Sequence, residues 1–222
     1  MNKIILISFI IILLFFILFT CDNAYTKYSM EKRRNIPAKK RKKILTEILD
    51  IIYTAAARSN TSPFLLYGTL LGQVRNNDLI CYDFDIDVGI MDNEYETIKY
   101  YIQQILKNNC KFYLRIDEYF NYKKFVIVHK ETGLNGDIFN FIMKNNRIYR
   151  EFNSLYITKV LKQCMAEYPV DWIFPLQSTN FKGHRVFIPN KSDKLLTCIY
   201  GEKYISPDYI CDINCEKCEK VE

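Results

Sequence analysis

The sequence predicts an α/β domain of the α+β kind, in which a mixed sheet is flanked by helices. Alternating apolar and polar residues, or short apolar runs, indicate strands at 111–116, 123–129, 136–141 and 181–188. Apolar residues at helical spacing recur at 39–58, 92–109 and 192–200. The two kinds of segment are mixed along the chain without an internal repeat. With 222 residues and 49% hydrophobic content, the chain is long enough to bury one core of good size.

The N-terminal part of the chain is predicted to lie outside this domain. Residues 4–20 form an apolar run that reaches the lower limit, about 17 residues, for crossing a bilayer. We predict an uncleaved signal-anchor helix at 1–21, because no convincing cleavage site follows the run; a cleaved signal peptide is the alternative. A basic stalk is predicted at 22–43, the globular domain at 44–205 and a cysteine-containing tail at 206–222.

The charge pattern bears on partners and on location. The formal net charge is +6, but basic residues crowd 32–43 and the remainder is close to neutral, so no nucleic-acid partner is predicted. By the positive-inside rule these charges favour a cytoplasmic domain. Eight cysteines and the N-glycosylation triplets at Asn60 and Asn190 favour a lumenal one. We expect a single-pass membrane protein, in the Golgi or endoplasmic reticulum if the source is eukaryotic, and the conflict over its orientation stays open.

An acidic strand is the most informative feature of the chain. Asp83, Asp85 and Asp87 stand at every second position, so their side chains share one face of a strand. Apolar residues between them form the opposite face. Like charges this close repel unless a cation lies among them, and hard divalent ions take carboxylate oxygens as ligands. The strand therefore predicts a site for Mg²⁺ or Mn²⁺.

A calcium-binding loop is the structural alternative for the same residues. Glu94 is the twelfth residue counted from Asp83, as in an EF-hand loop. The sixth position is Val88 where such a loop requires glycine, and Phe84 and Ile86 are too apolar for it. These departures favour the strand.

The last three of the eight cysteines form a cluster at Cys211, Cys215 and Cys218. A zinc site would need a fourth ligand from elsewhere, and Cys198 is the nearest candidate. Disulfides in an oxidising compartment are the other possibility. The sequence leaves both open.

Several motifs occur in an order and at intervals that resemble one known family. They are Gly68-Thr69-Leu70-Leu71-Gly72, Arg75, Asp83-Phe84-Asp85-Ile86-Asp87, Asp137-Ile138-Phe139, Phe174-Pro175-Leu176, Pro189-Asn190 and Tyr200-Gly201. From about Leu65 to Tyr204 the chain is similar to the LicD/fukutin family. The resemblance implies a nucleotidyltransferase-like fold of the polymerase-beta type. It also implies transfer of a phospho-alcohol, such as phosphocholine or ribitol phosphate, from a CDP-activated donor to a glycan or glycoprotein.

The acidic residues suit that chemistry. Displacement at a diphosphate spreads negative charge over phosphate oxygens, and metal ions held by carboxylates stabilise it. Asp85 and Asp87 are the first candidates as metal ligands, and Asp83 completes the set. Asp137, on a separate strand, is expected to serve as a further ligand or as the base that takes the acceptor proton; a merely solvated or capping carboxylate is the alternative.

A second group is predicted to bind phosphate. Gly68 and Gly72 would let backbone amides approach the phosphates, Thr69 would donate a hydroxyl hydrogen bond, and Arg75 would offer its guanidinium fork. The glycines could instead be turn residues, and Arg75 could form a surface ion pair. Two other functions stay open, namely nucleotidyl transfer to a small acceptor and glycan or partner binding without turnover.

Overall fold

The structure is a computed structural model that describes residues 33, 35–119, 122–150, 163–207, 209–212, 215 and 218–221. The anchor predicted at 1–21 and residues 22–32 of the predicted stalk lie outside the described residues. Among the residues that are described, no helix is long and apolar enough to span a membrane. The elements below belong to one compact unit, Pro37–Glu222.

The first helix matches the helical spacing predicted at 39–58, but the globular domain begins earlier than the predicted residue 44. Helix α1 spans Ala38–Ser59 and starts directly after Pro37, so part of the predicted stalk is helical and the compact unit begins before residue 44. Proline at this position lacks the N–H that helix continuation upstream would need. Arg41, predicted to be solvated in the stalk, is buried and donates a hydrogen bond from Nη2 to the Cys81 carbonyl at 2.5 Å.

Within the described residues, nine strands form one sheet. The sheet is mixed, as predicted. The strands are β1 Phe64–Leu65, β2 Asp85–Met91, β3 Phe112–Tyr119, β4 Tyr122–His129, β5 Asn135–Lys144, β6 Arg147–Arg150, β7 Glu167–Pro169, β8 Gln177–Phe181 and β9 His184–Ile188. The main order is β3-β4-β5-β2-β1-β9-β8, and β6 joins β5 to β7. Strands β2 and β5 are parallel, as are β1 and β9, and the other pairs are antiparallel.

One predicted strand is in fact a hairpin. The sequence indicated a single strand at 181–188, but β8 and β9 meet at a turn formed by Lys182 and Gly183. Both turn residues have positive φ, 51° and 86° respectively. Glycine adopts this backbone conformation without steric cost, which explains why the chain reverses there.

The other helices connect these strands. Described helices after α1 are α2 Tyr67–Asn76, α3 Asp92–Leu106, α4 Val170–Ile173 and α5 Ser192–Tyr200. Helix α5 has the predicted bounds and ends at Gly201, whose φ is 90°. A short 3₁₀ turn, Glu202–Ile205, follows, and strands β10 Tyr209–Cys211 and β11 Cys218–Lys220 form a small terminal hairpin.

The core lies between α1, α3 and one face of the sheet. Ile86 on β2 and Ile138 on β5 are fully buried, as is Ile48 on α1. Helix α1 comes so close to β5 that a Cβ at Gly136 would lie 2.4 Å from Ile48 Cγ2. The lack of a side chain at Gly136 therefore sets the distance between helix and sheet.

Six of the cysteines pair as disulfides. The bonds join Cys81 to Cys215, Cys164 to Cys198 and Cys211 to Cys218. Cys110 is exposed and free. The four cysteines that could have formed a zinc site are thus divided among three disulfides, and the structure favours the disulfide alternative.

Candidate active site

Three of the predicted acidic ligands meet on the sheet face opposite α1. Strands β2 and β5 run parallel with Asp87 opposite Asp137, so these two and Asp85 share a face. One carboxylate oxygen from each of the three residues lies within 4.8 Å of the other two. In the part of the chain that the structure describes, this is the only cluster of acidic, histidine or cysteine side chains with the spacing of a metal site.

Asp83 lies beside this cluster, just before β2 begins. Its Oδ1 accepts a hydrogen bond from the Phe84 amide at 3.1 Å. A Cβ at Gly68 would lie 2.5 Å from Asp83 Oδ2. The absence of a side chain at Gly68 therefore gives the Asp83 carboxylate its place at the start of α2.

The carboxylates are crowded enough to shift one another's pKa. Burial and then the charge of Asp85 raise the pKa of Asp83 to about 7. Burial, followed by the charges of Asp85 and Asp137, raises the pKa of Asp87 well above its ordinary value. Clustered anions of this kind are stabilised by a cation among them. Half-buried carboxylate oxygens in this number suit Mg²⁺ or Mn²⁺, so the residues present fit the predicted metal.

The calcium-loop alternative is wrong. Asp85 and Asp87 lie on a strand, and Glu94 lies on α3. The Glu94 carboxylate accepts a hydrogen bond from the Ser62 amide at 3.3 Å. An EF-hand requires all these groups in one loop.

Helix α2 carries the predicted phosphate-binding residues. Thr69 is buried, and its Oγ1 accepts a hydrogen bond from the Asp87 amide at 2.9 Å. This bond joins the start of α2 to the acidic strand. Gly72 packs against a neighbouring loop, where a Cβ would lie 2.4 Å from the Asp78 carbonyl oxygen. Phosphate binding by Gly68, Thr69 and Gly72 stays a prediction.

Arg75 forms contacts that neither of its two predicted roles, phosphate binding or a surface ion pair, included. Its Nε donates a hydrogen bond to the Tyr204 carbonyl at 2.6 Å, and its Nη2 donates one to the Ser206 carbonyl at 3.3 Å. The guanidinium thereby holds the segment after α5 against α2. Its predicted contact with phosphate is untested.

Two cations beside the carboxylates were missed from the sequence. Lys124 Nζ on β4 lies 3.1 Å from Asp137 Oδ1. The Arg150 guanidinium on β6 lies 3.6 Å from the centre of the Phe139 ring, and its Nη1 donates a hydrogen bond to the Tyr67 hydroxyl at 3.1 Å. Lys124 directly opposes Phe139 in the β4–β5 pair, two residues beyond Asp137. Only a correct strand alignment could have revealed this neighbour.

An open pocket of about 560 Å³ is lined by Asp83, the acidic residue beside the cluster. Gly68 and Asp83 line it, as do Tyr200, Lys203 and Tyr204. Burial and then the charges of Asp87 and Asp83 raise the pKa of Tyr200, so its hydroxyl stays protonated and can donate a hydrogen bond. The pocket gives a substrate access to the side of the acidic strand.

Comparisons with known proteins identify the domain. The family model described as LicD/FKTN/FKRP, nucleotidyltransferase domain, matches residues 60–191. No curated protein matches the chain in sequence. Two solved structures are distantly similar, both of the antibiotic-resistance factor ANT(2'')-Ia.

The first is a crystal structure in complex with adenylyl-2''-tobramycin, with 14% identity and a TM-score of 0.42 over 65% of this chain and 68% of that chain. The second is a solution structure, with 13% identity and a TM-score of 0.44 over 74% and 80% respectively. The family match covers more than half of the 222 residues and confirms the resemblance that the motifs suggested. The chain therefore belongs to the LicD/FKTN/FKRP family and carries its nucleotidyltransferase domain.

Proposed function

We propose that this protein is a metal-dependent transferase that moves a phospho-alcohol from a CDP-linked donor to a hydroxyl of a glycan or glycoprotein. Phosphocholine and ribitol phosphate are the kinds of cargo that the family resemblance implies. One observation supports the proposal above the others. Asp85, Asp87 and Asp137 bring carboxylate oxygens within 4.8 Å of one another, and the neighbouring Asp83 lines an open pocket.

The carboxylates would hold the metal. Asp85, Asp87 and Asp137 are the ligand set, and Asp83 lies next to it with its carboxylate against Gly68. When bound, Mg²⁺ or Mn²⁺ neutralises charge on the phosphate oxygens of the donor. Because Asp137 is part of the cluster, its position supports the ligand role more than that of a solvated carboxylate.

The surrounding side chains fix this arrangement. Thr69 positions the Asp87 backbone, and Lys124 balances the charge of Asp137. The Arg150 guanidinium lies 3.6 Å from the centre of the Phe139 ring and donates a hydrogen bond to the Tyr67 hydroxyl. Two such contacts give it a fixed position, and guanidinium groups bind phosphate oxygens well.

Location is part of the same proposal. Three disulfides support an oxidising compartment, and Asn60 of the first glycosylation triplet is exposed at the end of α1. Together with an anchor at 1–21, they support a lumenal domain, in the Golgi or endoplasmic reticulum if the source is eukaryotic. Protease protection of a C-terminal tag in sealed vesicles tests this, and digestion of the tag in intact vesicles would contradict it.

The reaction is tested by the product released from the donor. The full chain is incubated with CDP-choline, CDP-ribitol or CDP-glycerol, with Mg²⁺, Mn²⁺ or EDTA. We expect metal-dependent release of CMP from at least one donor, its loss in Asp85→Asn, and its retention in Asp171→Asn, which changes an exposed aspartate that pairs with Lys191.

Other products identify the competing functions. Pyrophosphate release from a nucleoside triphosphate, without CMP release from any donor, would support nucleotidyl transfer to a small acceptor. Binding of a glycan without any turnover would support the non-catalytic alternative. CMP release that continues in EDTA would contradict the metal-dependent mechanism.

A further inference from the structure

The end of α5 and the segment after it form one wall of the pocket. Tyr200, Lys203 and Tyr204 line the pocket together with Gly68 and Asp83. These three residues lie beyond 60–191, the part of the chain that the family model matches. The matched part of the family model therefore does not include this part of the pocket lining, although the Tyr200-Gly201 motif belongs to the resemblance described above.

Several bonds fix this wall to α2 and to the loop that leads into the acidic strand. Arg75 on α2 binds the carbonyls of Tyr204 and Ser206. Further along, Cys215 is joined by a disulfide to Cys81, which lies two residues before Asp83. These links come from separate parts of the fold, so the position of the wall relative to the carboxylates is well determined.

The chemistry of the wall combines a cation with aromatic rings. Within the described residues, no carboxylate lies at ion-pair distance from the Lys203 ammonium, and its side chain is exposed. Tyr82 and Tyr200 are 41% and 43% exposed where they line the pocket. Exposed aromatic rings offer flat apolar faces with a polar tip, and a lysine ammonium binds phosphate as a point charge.

We propose, on the basis of the function proposed above, that residues 200–204 form a specificity subsite for a phosphorylated ring. Lys203 pairs with the phosphate, and Tyr200 and Tyr82 contact the ring. The ring could be the nucleoside half of the donor or a sugar phosphate of the acceptor, since both present the same chemistry. The subsite extends from Asp83 to Lys203 along one continuous pocket.

Binding without turnover tests the subsite. Calorimetric titration of the full chain in detergent, with Mg²⁺ present, is made with CMP and separately with glucose 1-phosphate. We expect one of them to bind, and Lys203→Gln to weaken its Kd roughly tenfold to hundredfold through loss of a charged contact. Tyr200→Phe should weaken it less. Lys194→Gln, on the same stretch of chain but away from the pocket, is the matched control and should leave Kd unchanged.

The ligand whose binding depends on Lys203 identifies the source of the ring. Dependence of CMP binding on Lys203 assigns the subsite to the donor, and dependence of glucose 1-phosphate binding assigns it to the acceptor. The inference is overturned if Lys203→Gln binds as the wild type does, or if neither compound binds.

The two proposals fail in different ways. Binding that depends on Lys203 while no donor releases CMP would overturn the proposed reaction and leave the subsite standing. CMP release with an unchanged KM in Lys203→Gln, together with unchanged binding, would overturn the subsite and leave the reaction standing.

Discussion

The two faces of the β2–β5 strand pair are built in opposite ways from the same short stretches of chain. One face carries Ile86 and Ile138 and packs tightly under α1. The other carries Asp85, Asp87 and Asp137, whose carboxylate oxygens lie within 4.8 Å of one another. Because side chains alternate along a strand, every acidic residue on one face is flanked by apolar residues on the other.

The difference shows how the fold can hold a site whose repelling charges lower the stability of the protein. Buried apolar side chains on the helix-covered face stabilise the strands by the hydrophobic effect. Repulsion among the carboxylates on the site face acts against folding until a cation neutralises it. The first face therefore holds the second in a geometry that the carboxylates alone would not adopt.

The largest expected contrast comes from neighbouring residues on β2. Asp87→Asn should lower the rate of CMP release about 10³-fold, because loss of a metal ligand removes several kcal/mol of transition-state stabilisation. It should leave the free energy of unfolding unchanged or higher, since one repelling charge is gone. Ile86→Ala should lower that free energy by about 2–5 kcal/mol through the cavity that it leaves. Urea unfolding and CMP release measure the two effects, and equal destabilisation by both variants would contradict the contrast between the faces.

The disulfide between Cys81 and Cys215 is expected to matter mainly to the site face. Cys215→Ser frees the terminal segment from the loop that leads into β2, and loss of a native disulfide costs about 2–4 kcal/mol. We expect a lower urea midpoint and a higher KM, while amides of α1 keep their protection in hydrogen exchange. Cys110→Ser, which removes the exposed free thiol, is the matched control and should change neither quantity. Loss of protection throughout α1 would show that the disulfide supports both faces equally.

Two glycines sharpen the comparison because each sets a close approach on one face. A methyl at Gly136 would lie 2.4 Å from Ile48 Cγ2 in the packed core, so Gly136→Ala should cost about 1–3 kcal/mol of stability. A methyl at Gly68 would meet Asp83 Oδ2, the free end of a side chain that can rotate away. The Gly68→Ala variant should therefore be as stable as wild type but lose CMP release, because the Asp83 carboxylate rotates away from its position beside the cluster. Thermal unfolding and CMP release on both variants check this, and a stable, active Gly136→Ala would contradict the packing argument.

The sequence predicted the parts of this arrangement that depend on local periodicity. The alternation of Asp85 and Asp87 with apolar residues was sufficient for the strand, its two faces and the metal prediction. Helix α5 was predicted to its last residue, because apolar spacing and Gly201 coincide at its end. The family motifs added Asp137 from a distant strand.

Features that depend on the pairing register of distant strands could not be predicted from the sequence. Lys124 and Arg150 meet the acidic face only through the alignment of β4 and β6 with β5, which no local pattern determines. Arginine is a residue type that often binds phosphate, but the carbonyl groups that Arg75 binds lie more than a hundred residues further along the chain. Disulfide connectivity also depends on the tertiary fold. The spacing of the clustered cysteines could therefore not distinguish a zinc site from disulfide bonds.

The smallest expected effect is a pH dependence confined to the acidic face. In metal-free protein the pKa of Asp83 lies at about 7, raised from an ordinary value of 3.8 chiefly by burial and then by Asp85. The folded state therefore binds this proton more tightly than the unfolded state, and stability falls as pH rises from about 4 to 7. The Asp83 side chain is still partly exposed, so solvent screens part of this effect and we expect a loss of about 1 kcal/mol.

Urea unfolding in EDTA at several pH values, on wild type and Asp83→Asn, measures this contribution as the difference between the two curves. The asparagine variant carries no proton to lose, so its stability relative to wild type should increase across the same interval. Mg²⁺ should reduce the difference at pH 7 if a cation offsets the repulsion that raises the pKa. Two curves that stay parallel from pH 4 to 7 would mean that Asp83 does not share the charge of the cluster. The repulsion would then be confined to Asp85, Asp87 and Asp137.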